Sequence, residues 1–129
     1  MKSSIKHKIL FLFSLLFGLM FINAGLNKFL NYMPMPENLS EKMRRAVAAF
    51  NEIGWVMPLV GVAEIVGGLL IIIPKTRALG ALIILPVMFG ITLTNIVQDS
   101  SGLPLVVVLW AILIWIMVNN RRKYLPLVG

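Results

Sequence analysis

The fold is decided by residues 55–73, which read WVMPLVGVAEIVGGLLIII. About 20 apolar residues in helical conformation cross the ~30 Å hydrocarbon core of a bilayer. The stretch is therefore typical of a membrane-spanning helix, with one acidic residue, Glu64, midway between Trp55 and Ile73. It predicts a carboxyl group close to the bilayer centre.

The rest of the chain supports a membrane location. It has 129 residues, of which 59% are hydrophobic and 13% charged, and its mean hydropathy is +0.91. Further apolar segments cover about 9–30, 78–97 and 103–118. The first could also be a signal peptide, but its apolar run continues past Ala24 and Gly25 to Leu30, which favours a membrane helix. The chain is predicted to be a single domain over 1–129, an all-α integral membrane four-helix bundle.

The connection between the first two segments is long enough for a helix of its own. Pro34, Pro36 and Asn38 should end the first helix, and Ser40 followed by Glu41 is typical of a helix start. Apolar residues then recur at helical spacing, at Met43, Val47 and Phe50. We expect a short amphipathic helix in the outer loop between helices 1 and 2.

The net charge of +7 is explained by topology. One set of loops and termini carries bases without acids: Lys2, Lys6, Lys8, Lys75, Arg77, Arg121, Arg122 and Lys123. Cytoplasmic loops retain an excess of Lys and Arg. Both termini are therefore predicted to be cytoplasmic, the bilayer is the expected partner, and no nucleic-acid partner is needed.

Glu64 is the first candidate for a functional residue. A charged side chain at the bilayer centre costs at least about 2.5–3.5 kcal/mol on insertion scales, so Glu64 should face the bundle interior, be protonated or be paired. The alternative is a neutral glutamic acid that only packs against a neighbouring helix.

Small residues share the face of Glu64. Gly61 precedes it by one turn and Gly68 follows it by one turn, and Gly18 and Gly25 repeat the same seven-residue spacing in helix 1. Small residues at such spacing let helix backbones approach closely in lipid. They are predicted to be packing positions, either within one chain or between copies in a homo-oligomer.

Three asparagines in the outer half of the predicted bundle are candidate ligand-binding groups, together with Lys28. Asn23 and Asn27 share a face of helix 1, and Asn23 lies near the depth of Glu64, so a hydrogen bond between them is expected. Lys28 either extends to the outer surface or turns inward and leaves a gap of several Å to Glu64 that could hold a ligand. Asn95 is the candidate from the apolar segment 78–97, because Thr92 and Thr94 should bond their own backbone.

The absent residue types exclude several chemistries. The chain has no cysteine and one histidine, His7, in its basic N-terminal segment. An intramembrane metal site is therefore not expected, nor is a covalently bound cofactor. Any redox role must rely on a bound organic molecule or a partner protein.

Three motifs are informative when taken together. They are Ala24-Gly25-Leu26-Asn27-Lys28-Phe29, Glu64-Ile65-Val66-Gly67-Gly68-Leu69-Leu70 and Thr76-Arg77-Ala78-Leu79-Gly80-Ala81. Together they resemble the DoxX family of small four-helix bacterial membrane proteins. The resemblance covers roughly 9–118 and implies a bacterial inner-membrane protein. It also implies, from some relatives, a role linked to the quinone pool. The matching positions are Gly25, Lys28, Glu64, Gly67 and Gly68.

Two functional hypotheses follow. In the first, the chain is a quinone-interacting subunit of a membrane redox system, in which Glu64 exchanges a proton and Asn23, Asn27 or Lys28 binds a quinone carbonyl, with electrons from a partner protein. In the second, it is a transport or assembly component without enzymatic activity.

Overall fold

The computed structural model describes residues 2–32, 39–98 and 100–128, and these are helical, with no strand among them. The prediction of an all-helical chain is thus confirmed for this part. The α-helices are α1 Lys2–Leu30, α2 Glu41–Ile53, α3 Val56–Ile72, α4 Arg77–Val97, α5 Leu103–Asn119 and α6 Leu125–Val128. Short 3-10 turns at Ser100–Gly102 and Arg121–Lys123 precede α5 and α6.

Helix α1 is longer than its apolar segment. It begins at Lys2, not near residue 9, because residues 2–8 hold neither proline nor glycine and nothing interrupts the helix. It ends where Asn31 adopts φ 52°, a left-handed conformation that asparagine tolerates at a helix C-terminus. The expected breakers Pro34, Pro36 and Asn38 lie outside the described residues.

Helices α2 and α3 form a sharp corner. The Ser40 side chain caps α2 by accepting a hydrogen bond from the Met43 backbone N–H at 3.2 Å. Gly54 ends α2 with φ 91°, a conformation that residues with a Cβ rarely adopt, and the two helix axes meet at 94°. Helix α2 has no buried residue, whereas α3 is packed between α1 and α4.

Glycines set the distance between α1 and α3. A Cβ at Gly68 would lie 2.6 Å from the carbonyl oxygen of Gly18, and one at Gly25 would lie 2.6 Å from that of Gly61. A Cβ at Gly80 would lie 2.7 Å from the carbonyl oxygen of Gly67, so Gly80 sets the distance between α4 and α3 in the same way. Spacing alone did not single out Gly80, whose close approach depends on the turn that joins α3 to α4.

The core lies where α1, α3, α4 and α5 meet. Its most deeply buried large side chains are Phe21, Ile71, Ile84, Met88, Leu113 and Ile116. Many other large apolar side chains face outward, including Leu16, Leu59, Leu93 and Leu105, each between 55% and 60% exposed. In water this surface would be unfavourable, whereas lipid solvates it.

Three helical segments are long and apolar enough to cross a membrane: Ile5–Leu30, Arg77–Val97 and Ser100–Asn119. Helix α3 has 17 residues and reaches the required length only together with α2 across their corner. The chain is therefore a membrane protein with three or four candidate spans.

A cross-helix hydrogen bond links α4 and α5. The Trp110 indole N–H donates to Thr92 Oγ1 at 2.7 Å, and Thr92 in turn donates to the Met88 carbonyl at 2.7 Å. Thr94 donates to the Gly90 carbonyl at 2.8 Å. The prediction that both threonines bond their own backbone is confirmed, and the Trp110 contact could not be read from spacing.

The basic segments meet at one end of the molecule, which we call the basic end: residues 2–8, 74–77 and 119–128. Lys123 Nζ donates to the carbonyl of Pro74 at 3.4 Å, and the Tyr124 hydroxyl donates to that of Ala78 at 2.9 Å. The Arg77 guanidinium lies 6.0 Å from the centre of the Phe11 ring. The C-terminal segment thus packs over the α3–α4 turn.

Tyr124 should report on this contact through its titration. Burial raises the pKa of the Tyr124 phenol above its ordinary value of 10.0, because the phenolate is the less well solvated form. The contribution of the buried Tyr124 phenol to the free energy of unfolding is complete below pH ~10, and it is lost as pH rises through the folded-state pKa of Tyr124. With two tyrosines in the chain, a Tyr32→Phe background leaves Tyr124 as the one phenol. Its phenolate absorbance should rise at higher pH in folded than in unfolded protein, and coincident curves would refute the packing.

Candidate functional site

The site centres on an ion pair between α1 and α3. Lys28 Nζ lies 2.5 Å from Glu64 Oε1, with the Glu64 side chain 3% exposed and the Lys28 side chain 19% exposed. Of the options left open by the sequence, Glu64 therefore faces inward and is paired, and Lys28 turns inward. The expected gap of several Å between them is wrong, since the two groups are in direct contact.

Packing explains why the pair is closed. The glycines at positions 25 and 61 bring the helix backbones together, and a Cβ built at Gly25 would lie 3.2 Å from the Glu64 Cβ. Lys28 follows Gly25 by about one helical turn, so it stays on the face that contacts α3. At this separation the lysine side chain reaches the carboxylate without extending to the surface.

Each member of the pair neutralises a charge that would be costly to place alone in lipid. Removing one partner of a buried pair leaves an uncompensated charge, whereas replacing both by apolar residues is often neutral or stabilising. The pair is therefore weak support for stability and is consistent with retention for a chemical role. A paired ammonium can donate hydrogen bonds, and its carboxylate partner can hold a proton in exchange.

Asn23 lies elsewhere on α1. At 100° per residue it is about 200° from Gly25, which is on the face that contacts α3. The Tyr32 hydroxyl donates to the Asn23 backbone carbonyl at 2.9 Å and also contacts Asn23 Oδ1. Equal depth predicts a bond to Glu64, whereas the position of Asn23 around the helix is on a face other than that of Gly25.

Tyr32 joins the region because the chain reverses at Asn31 and the ring folds back along α1. Asn27 is half-buried and four residues from Asn23, on the same side of α1.

Asn95 is also apart from the pair. Its Nδ2 donates to the Ile91 carbonyl one turn earlier at 2.8 Å, and its Oδ1 occupies the space that a Cβ at Gly102 would need. It therefore packs at the α4–α5 junction. Among the four residues predicted to bind a ligand, the structure brings Lys28 into direct contact with Glu64. Within the described ranges no cluster of His, Asp and Glu is suited to a metal ion.

These features define a helical membrane protein whose buried ammonium–carboxylate pair lies between two glycine-packed helices. The chain belongs to the DoxX family, whose model matches residues 9–96. This range contains Lys28, Glu64 and the glycines around them. The resemblance drawn from the sequence motifs is therefore confirmed for these residues.

One curated relative is similar over part of its length. It is a Bacillus subtilis (strain 168) protein, YwoB, described as uncharacterized, and it is 39% identical over 71 residues. The match covers 51% of this chain and 43% of YwoB, so this chain spans less than half of that relative. No solved structure matches the chain significantly.

Proposed function

We propose that α1, α3, α4 and α5 all cross a bacterial inner membrane as a four-helix bundle, with both termini cytoplasmic and α2 on the outer surface. The clustering of bases at the basic end supports this orientation. The corner at Gly54 supports a surface position for α2, which turns away from α3 by 94°. The whole chain is then one domain.

We propose further that the protein is a quinone-interacting subunit of a membrane redox system. The observation that carries this proposal is the unequal exposure of the Lys28–Glu64 pair, 19% against 3%. The Lys28 side chain is therefore partly open at the side of α1, whereas the side chain of its counter-ion is enclosed. A quinone is apolar enough to reach this depth from lipid, and its carbonyl oxygen is an acceptor for Lys28.

Reduction of a quinone to a quinol takes up two electrons and two protons. In this proposal a redox partner protein supplies the electrons. Lys28 binds one quinone oxygen and gives it one proton, and the Glu64 carboxyl group, which stabilises the lysine charge before the transfer, passes a replacement proton to the lysine. The other quinone oxygen takes the second proton from water. The Tyr32 hydroxyl bonds to Asn23 on another face of α1, so the proposal rests on Lys28 for binding and on the Lys28–Glu64 pair for proton exchange.

Co-purification tests the proposal. Wild-type protein in lipid nanodiscs should carry quinone near one per chain by mass spectrometry, and Glu64→Gln and Lys28→Ala should lose most of it. Leu59→Ala is the matched control, because Leu59 is on α3 but 60% exposed to the surroundings. Equal quinone in all four samples, or none in the wild type, would contradict the proposal.

A second function is favoured by the direct contact within the pair. With no gap for a ligand between the two groups, the pair could instead lock α1 to α3 in a transport or assembly component without enzymatic activity. In that case Gly61→Leu should separate α1 from α3 and lower the free energy of unfolding, and quinone should be absent from every sample. The quinone assay separates the two functions.

A further inference from the structure

A groove opens at the basic end, away from the Lys28–Glu64 pair. It lies between the first turns of α1 and the α3–α4 turn and has a volume of about 770 Å³. Phe11, Leu12 and Leu15 form its apolar wall. His7, Lys8 and Arg77 form its basic part.

Arg77 is built into this groove. It is 6% exposed, and its Nε and one terminal nitrogen donate to the carbonyls of Ile71 and Ile72 at 2.8 and 3.4 Å. These bonds cap the C-terminus of α3 and fix the guanidinium in place. The Phe11 ring lies 6.0 Å from it on the α1 side. The groove therefore has an ordered cation at its inner side, with the exposed Lys8 and His7 on α1 opposite it.

The charge around the groove is of one sign. The segments that form the basic end, 2–8, 74–77 and 119–128, contain no acidic residue. The side chains of these three segments therefore offer an anionic ligand no competing carboxylate. Basic pockets beside transmembrane helices at the cytoplasmic side are suited to anionic lipid headgroups.

The polarity gradient along α1 matches that of a lipid. From Lys8 to Leu15 the helix rises roughly 10 Å, from a basic residue to apolar ones. A glycerophospholipid changes over a similar distance from phosphate to acyl chain. We propose that this groove binds one anionic phospholipid, with its phosphate between Lys8 and Arg77 and an acyl chain along Phe11, Leu12 and Leu15.

Native mass spectrometry of the detergent-solubilised protein tests this. Titration with dioleoyl-phosphatidylglycerol should give one tightly bound lipid, and dioleoyl-phosphatidylcholine, with the same chains, should bind more weakly. Lys8→Gln should weaken phosphatidylglycerol binding about fivefold. Leu12→Trp, which fills the groove from an exposed position, should remove the tight adduct.

The matched control is Lys6→Gln, which removes the same charge from the same helix at a position that does not line the groove. Lys6→Gln should leave the affinity unchanged. Equal losses in Lys6→Gln and Lys8→Gln would show diffuse surface charge and overturn the proposal. So would equal binding of the two lipids, displacement by millimolar inorganic phosphate, or a second copy of the chain in place of the lipid adduct.

Discussion

Replacing Gly68 with alanine should lower the free energy of unfolding by about 1–3 kcal/mol, the usual cost of overpacking a tight contact. The added Cβ would lie 2.6 Å from the Gly18 carbonyl oxygen and 3.0 Å from Ile22 Cγ1. The first of these atoms is backbone, so relief requires α1 to move away from α3. Gly68→Leu should prevent the folded state from accumulating.

Gly90→Ala is the matched control, because Gly90 is helical and a Cβ there meets nothing within 4 Å. It should be neutral or slightly stabilising, since alanine favours a helix over glycine. Unfolding in mixed micelles, followed by tryptophan fluorescence, measures both variants. If Gly68→Ala and Gly90→Ala have the same stability, the close backbone contact of α1 with α3 is refuted.

The second large effect concerns the ion pair. Lys28→Met should cost about 3–5 kcal/mol or force Glu64 to take up a proton, because a carboxylate is left buried without its counter-ion. Glu64→Met should cost less, since Lys28 is near the end of α1 and its ammonium can extend to the surface. The double variant with methionine at both positions should be close to wild type in stability or above it.

The same unfolding assay on all four proteins gives the coupling energy of the pair. Leu30→Met is a suitable control, because Leu30 follows Lys28 by two residues on α1 and is 67% exposed. A double variant that is less stable than both single variants would show that the pair is required for folding. A zero coupling energy would show that the two groups do not interact.

Much of the fold follows from composition along the chain. Apolar segment length predicts the long helices to within a few residues at most ends, because hydrocarbon thickness fixes how many residues are needed. The predicted start of α1 near residue 9 differs from the observed start at Lys2. Polarity marks the membrane boundary, whereas a helix ends only where a residue interrupts it. The corner at Gly54 was not predicted, because its φ of 91° depends on the packing of α2 and α3.

The site was less predictable than the fold. Glu64 stands out from sequence because a carboxylate among apolar residues is costly. Its partner could not be chosen between Asn23 and Lys28 by depth, and the rotation of α1 set by Gly25 decides it. The bond of Tyr32 to Asn23 was not predicted, since it needs the reversal of the chain at Asn31.

The central claim is that the Lys28–Glu64 pair is retained to bind quinone and not to hold the helices together. The most direct test measures quinone affinity of the Lys28→Met, Glu64→Met double variant in nanodiscs, after its unfolding curve has shown it to be folded. The account predicts a folded protein with at least tenfold weaker quinone binding, equivalent to about 1.4 kcal/mol. A folded double variant that binds quinone as tightly as wild type would contradict it.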